Sequence, residues 1–176
     1  MNATFKALIA LLVFCSASTL AQEPSATVTI TDLSWTDESF LSNQRARVDR
    51  LTKEQLGTPL RGDKTDLSTL QRIVDRELIG ASDTLALQAL GVVLGDAMIV
   101  AEPELEWKVY EDKLGRSRAL CAASVNECLF PVTMLSRRMA AGLKPDVKKV
   151  YVEALELIAE SLPELPYGGE RQYTPY

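Results

Sequence analysis

From Trp35 to Leu56, Phe40, Leu41, Val48 and Leu51 recur among dense charges at the spacing of an amphipathic helix. Thr36 or Asp37 is placed to cap it, and Gly57-Thr-Pro59 ends it. Leu67, Leu70, Val74 and Leu78 mark a second helix, with Asp66 as N-cap and Gly80 as stop. Ser82-Asp83 opens a third that reaches Val100 or Ala101 and is hydrophobic nearly all round, as a central, buried helix is. Gln88, Asp96 and its modest length argue against a membrane span. Gly91 and Gly95 lie one turn apart on one face, and each costs ~1 kcal/mol of helix propensity. They predict a packing seam where this helix meets the sheet.

After Pro103 the period changes to two. Leu105, Trp107 and Val109 alternate with Glu106, Lys108 and Tyr110, a half-buried strand. Lys113-Leu-Gly-Arg is a turn, and Arg118–Ala122 and Cys128–Val132 complete a three-stranded antiparallel meander with Pro131 at its end or on an edge. A short helix follows, with Val132, Leu135 and Met139 inward, Arg137 and Arg138 outward, and Gly142 as its stop. Pro145 then opens a last amphipathic helix through Val147, Val150, Tyr151, Ala154, Leu155 and Ile158. The fold class is α+β: N-terminal helices, a three-stranded antiparallel meander, then C-terminal helices. Residues 35–162 form one domain, residues 22–34 a flexible lead or an edge strand, and residues 163–176 a flexible tail.

The N-terminus fits a cleavable export signal: Lys6, an apolar core from Ala7 to Phe14, and small residues at Thr19-Leu-Ala21. Cleavage after Ala21 predicts a periplasmic or secreted chain starting at Gln22, with no transmembrane segment left. Phe14 before Cys15 is too bulky for lipoprotein processing. Removal of residues 1–21 takes away one basic residue and no acidic one, leaving 18 basic against 24 acidic side chains. With no basic block to neutralise phosphates, this composition points away from nucleic acid. Cys121 and Cys128, the two cysteines left, read in an oxidising compartment as one disulfide worth about 2–3 kcal/mol. A redox pair is the rival reading, but there is no Cys-x-x-Cys and no nearby histidine.

The chain has no histidine at all, which removes Ser-His-Asp and Cys-His catalysis and histidine-rich metal sites. Gly-x-Ser-x-Gly, Walker and calcium-loop motifs are absent too, and no cofactor or metal is expected. Asp96, an acid on an apolar helix, is the sharpest catalytic candidate: if buried, its pKa rises toward general acid or base work. The plainer expectation is that it faces solvent or pairs with Arg116, Arg118 or Arg137. Glu102, Glu104, Glu106, Glu111 and Asp112 form an acidic belt that offers a glycosidase pair or a cation site, although alternation puts Glu106 on a solvated face beside Lys108. Trp107 offers ligand stacking but shares its face with Leu105 and Val109, as a core tryptophan does. Trp35 is placed to staple the first helix to the body.

Leu90-Gly-Val-Val-Leu-Gly-Asp96, Glu106-Trp-Lys-Val-Tyr-Glu-Asp112, Gly115-Arg116 and Phe130-Pro-Val-Thr-Met134 together resemble the bacterial DUF3806 domain family over about residues 67–143. The two cysteines around the meander depart from that pattern. The resemblance implies a fold and no activity. Two functions of different class remain. The first is a non-catalytic periplasmic interaction or binding module for a protein partner in the cell envelope, with Arg116, Arg137, Arg138 and Trp107 as candidate contacts. The second is a small carboxylate-dependent hydrolase or lyase using Asp96.

Overall fold

The computed structural model describes residues 28–123 and 125–174. Along the chain run β1 (Thr29–Asp32), α1 (Trp35–Leu56), α2 (Asp66–Asp75), α3 (Thr84–Ala101), β2 (Leu105–Asp112), β3 (Gly115–Ala122), β4 (Cys128–Leu129), α4 (Pro131–Met134), α5 (Ser136–Ala140) and α6 (Val147–Ala159), then a 3₁₀ turn at Pro166–Gly168. The class is α+β. The sheet, however, has four antiparallel strands in the order β1-β2-β3-β4 rather than three. The segment left open as lead or edge strand pairs through β1, with Ile30 opposite Tyr110. β4 is two residues long where the sequence predicts five, because Pro131 has no N–H for the ladder and instead starts α4. The expected export signal, residues 1–21, lies outside the described residues.

α3 is the axis of the molecule. By length and composition it could cross a membrane, but here eleven of its residues are buried among α1, α2, α4, α5, α6 and β2. Asp83 caps it, accepting from Ala86 N at 3.0 Å. The glycine seam does two jobs rather than one. A Cβ on Gly91 would sit 2.3 Å from the Pro131 carbonyl oxygen, so α4 rests there backbone to backbone. A Cβ on Gly95 would sit 2.5 Å from Trp107 Cζ2, so only this second contact is with the sheet. Leu105, Trp107 and Val109 all face the core.

Local chemistry moved several helix ends. Ser34 caps α1, in a box where Asp37 returns the bond to the Ser34 backbone, so Thr36 is no cap and Asp37 serves from N3. Asp66 is the first residue of α2, its carboxylate accepting from Arg61 N and Gly62 N, and the helix stops at Asp75, before Gly80. Asp146, not Pro145, sets the start of α6 by accepting from Lys149 N at 3.0 Å. The predicted helix after the meander is broken at Leu135 into α4 and α5. Trp35 is 79% exposed and staples nothing.

Cys121 and Cys128 stand opposite each other in the β3–β4 register and are bonded, S–S 2.05 Å. The bridge holds β4 where the ladder is shortest.

The close approach at Gly91 makes a specific prediction. Gly91→Ala gains helix propensity yet forces α4 away, and is expected to lose about 1–3 kcal/mol in urea unfolding. Gly80→Ala, which has nothing within 4 Å of the new Cβ, should stay within about 0.5 kcal/mol. Equal stability of both variants would refute the seam.

Candidate functional site

The capping box that starts α1 also aims Asp37 at the sheet. Asp37 is 1% exposed and takes a two-pronged contact from Arg116, Nη1 to Oδ1 at 2.9 Å and Nη2 to Oδ2 at 2.6 Å. Arg118, two residues along β3 and so on the same face, reaches Oδ1 with Nη2 at 2.9 Å. Its guanidinium also lies 3.9 Å over the ring of Phe40, one turn further along α1. The Arg116 guanidinium, helped by the Ser34 hydroxyl and N–H, holds the Asp37 carboxyl far below the usual carboxylate range, against burial, which pushes it up.

These arginines form one wall of a cavity of about 520 Å³. Opposite stand Phe130, Thr133 and Arg137 from β4's end, α4 and α5, with Tyr110 meeting Phe130 edge to face at 5.0 Å between centroids. Arg137 is exposed, and no acidic group pairs with it among the described residues. A second cavity of about 520 Å³ shares Phe130, Thr133 and Arg137 and continues past Arg138 to Leu143 and Leu157, the latter 72% exposed. The structure thus brings Arg116 and Arg137 to one groove and places Arg138 at its extension. Arginine forks beside aromatic rings bind a carboxylate or phosphate attached to an apolar body.

Trp107 is elsewhere. Its ring is buried against Gly95, and its Nε1 donates to Asp96 Oδ1 at 3.0 Å. Asp96 pairs with none of the expected arginines. Its partner is Arg45 on α1, through Nε to Oδ2 at 2.6 Å and Nη2 to Oδ1 at 2.7 Å. Three donors therefore occupy this carboxylate, and it works as a clamp between α1, α3 and β2. The acidic belt divides as well. Glu106 is exposed and pairs with Lys108 at 2.7 Å, whereas Glu102 is 7% exposed and holds Arg171 Nε at 3.2 Å and Tyr173 Oη at 2.8 Å. The C-terminal segment is seated there, over Tyr151, whose hydroxyl is pushed up to about 12 by burial and by Glu102. Among the described residues no group of three or more Asp, Glu or Cys side chains converges to hold a metal ion.

Residues 66–151 match a family described as a domain of unknown function, DUF3806. This segment is similar to the DUF3806 family and makes up just under half of the chain. It runs from α2 into the first turns of α6 and supplies Arg116, Arg118, Phe130 and Arg137, while Asp37 and Phe40 come from α1, before the DUF3806 boundary. A crystal structure from Bacteroides thetaiotaomicron VPI-5482 is similar in fold, with a TM-score of 0.68 at 16% identity, covering 74% of this chain and 48% of that one. The chain thus spans about half the length of that protein. No curated protein matches the sequence.

Asp37 and Phe40 carry no signal of their own as groove residues. The available clue is Ser34-x-x-Asp37, which fixes the cap and with it the direction of both side chains. Tyr110, Phe130 and Thr133 fall in predicted elements but gain meaning only from the turn of the chain at Pro131.

The Asp37 centre has a pH signature. A depressed carboxyl pKa gives stability that is fully present above the unfolded value of about 3.9 and is lost as pH falls toward the folded one. Asp37→Asn is expected to cost roughly 3 kcal/mol at pH 7, and urea titrations should show that gap closing between pH ~4 and ~2. A gap independent of pH would contradict the ion-pair assignment.

Proposed function

We propose that this protein is an exported, non-catalytic binding module, and that its groove takes an anionic group carried on an apolar or aromatic body of a protein partner in the cell envelope. The observation that carries the reading is the convergence of Arg116, Arg118 and Arg137 with Phe40, Tyr110 and Phe130 around one cavity. Its volume of about 520 Å³ falls inside the range of ligand pockets, ~300–1,000 Å³. Asp37 neutralises part of the charge and, being buried, holds Arg116 and Arg118 in fixed orientations, so little order is lost when an anion docks. Arg137 supplies the charge that is not already spent. Asp96, the acid a hydrolase or lyase would use, is committed to Arg45 and Trp107, and this weighs against the catalytic reading. Export is supported by the N-terminal run to Ala21 and by the Cys121–Cys128 bridge, which suits an oxidising compartment.

Two measurements test this. N-acetyl-L-phenylalanine, a carboxylate on an aromatic body, should shift the backbone resonances of Phe130, Thr133 and Arg137, while its neutral amide should not. Arg137→Glu should weaken that binding roughly tenfold, about 1.4 kcal/mol. Equal binding of acid and amide, or shifts confined elsewhere, would dismiss the groove. For export, the intact mass of the chain made with its own leader should correspond to a start at Gln22 with no free thiol; retention of residues 1–21 would count against it.

A further inference from the structure

β3 is eight residues long, yet β4 covers only two of them, Leu120 opposite Leu129 and Cys121 opposite Cys128. Pro131 then draws the chain off the sheet into α4. The stretch from Gly115 to Arg118 is left as an open edge, and Ala119 beyond it is buried. In an antiparallel ladder, alternate residues direct their N–H and C=O to opposite neighbours. Ala122 N donates to Glu127 O on the β4 side, at 3.1 Å, which assigns the even-numbered positions to that side. Arg116 and Arg118 therefore present their backbone groups outward, and these meet no backbone partner among the described residues. Four consecutive residues, Gly115 to Arg118, line the groove cavity. Side chains of both faces reach it, as happens where a cavity runs along a strand edge.

We propose that this edge takes an extended, acidic segment of a partner protein as an added strand, a proposal that rests on the anion-binding reading of the groove. The main chain of the segment pairs with Arg116 and Arg118 while its alternate side chains set specificity. Four open positions at ~3.3 Å each give about 13 Å of edge, enough for roughly four residues. Charge selects the occupant: three arginines line the cavity against one carboxylate, Asp112. Acidic side chains meet Arg116, Arg118 and Arg137, and apolar ones meet Phe130. A second copy of β3 would set arginine against arginine, which like-charge pairing disfavours, so the same residues that admit an acidic strand refuse self-association.

The probe is an acetylated, amidated Glu-Val-Glu-Val-Glu-Val peptide titrated into the full mature chain. Binding should protect the amides of Arg116 and Arg118 from hydrogen exchange. It should be absent for the Lys-Val counterpart and fall roughly tenfold in Arg137→Glu, an exposed position whose change leaves the fold intact. Of two peptides N-methylated on alternate amides, the one blocked on the β3 side should bind roughly tenfold more weakly and the other unchanged. Equal affinity of both methylated peptides would overturn strand addition while leaving the anionic groove in place. Binding of N-acetyl-L-phenylalanine without any binding of the peptide would do the same. A concentration-dependent dimer that protects these same amides would replace the acidic strand with a second copy. Failure of every probe to perturb the groove would remove the underlying reading as well.

Discussion

Everything in this molecule is hung on two missing side chains. At Gly91 and Gly95 the buried helix α3 lets the Pro131 carbonyl and the Trp107 ring approach to distances that a Cβ would forbid. Each glycine weakens the helix by ~1 kcal/mol, a cost offset by the burial of α3 on nearly all sides. From the first contact follows the position of α4, and with it Phe130 and Arg137. From the second follows the position of β2, and through the ladder that of Arg116 and Arg118 on β3. The two walls of the groove are set by two turns of one helix.

α1 supplies the third wall by different physics. It is tied to the body by Arg45 to Asp96 near its middle and by Asp37 to Arg116 and Arg118 at its start. Burying such pairs contributes little net stability, because desolvation consumes most of the attraction, but breaking one is costly. They therefore act on position: a helix that lies outside the DUF3806 segment is held in one register against it. The groove is a composite of the domain and this preceding helix.

How far the sequence reveals this depends on whether a feature is local. The α6 periodicity names all six of its buried residues, and the alternation at Leu105, Trp107 and Val109 names the inner face of β2. Cys121 and Cys128 could be paired from spacing because they are neighbours across one turn. Asp96 was visible as an anomaly, but its partner was not. Arg45 lies 51 positions away, and the contact exists only because α1 crosses α3. The same limit hid β1, whose four residues mean nothing until β2 is beside them, and the seat of Arg171 and Tyr173 on Glu102. Periodicity reports that a face is buried and is silent about what buries it.

Arg118 shows how the groove balances structure against binding. Its Nη2 is spent on Asp37 and its face on Phe40, yet its Nε is buried without an acceptor. A buried donor left unpaired costs about 1–3 kcal/mol, softened here by the ring beneath it. A second carboxylate beside Asp37 would satisfy this donor but would also cancel the charge Arg116 and Arg118 hold toward the cavity. Among the described residues one buried acid serves two arginines, Asp112 is the one carboxylate that lines the cavity, and no acid pairs with Arg137. That shortfall of paired negative charge, fixed in place by the Ser34–Asp37 cap, is the feature on which the proposed preference for an anion rests.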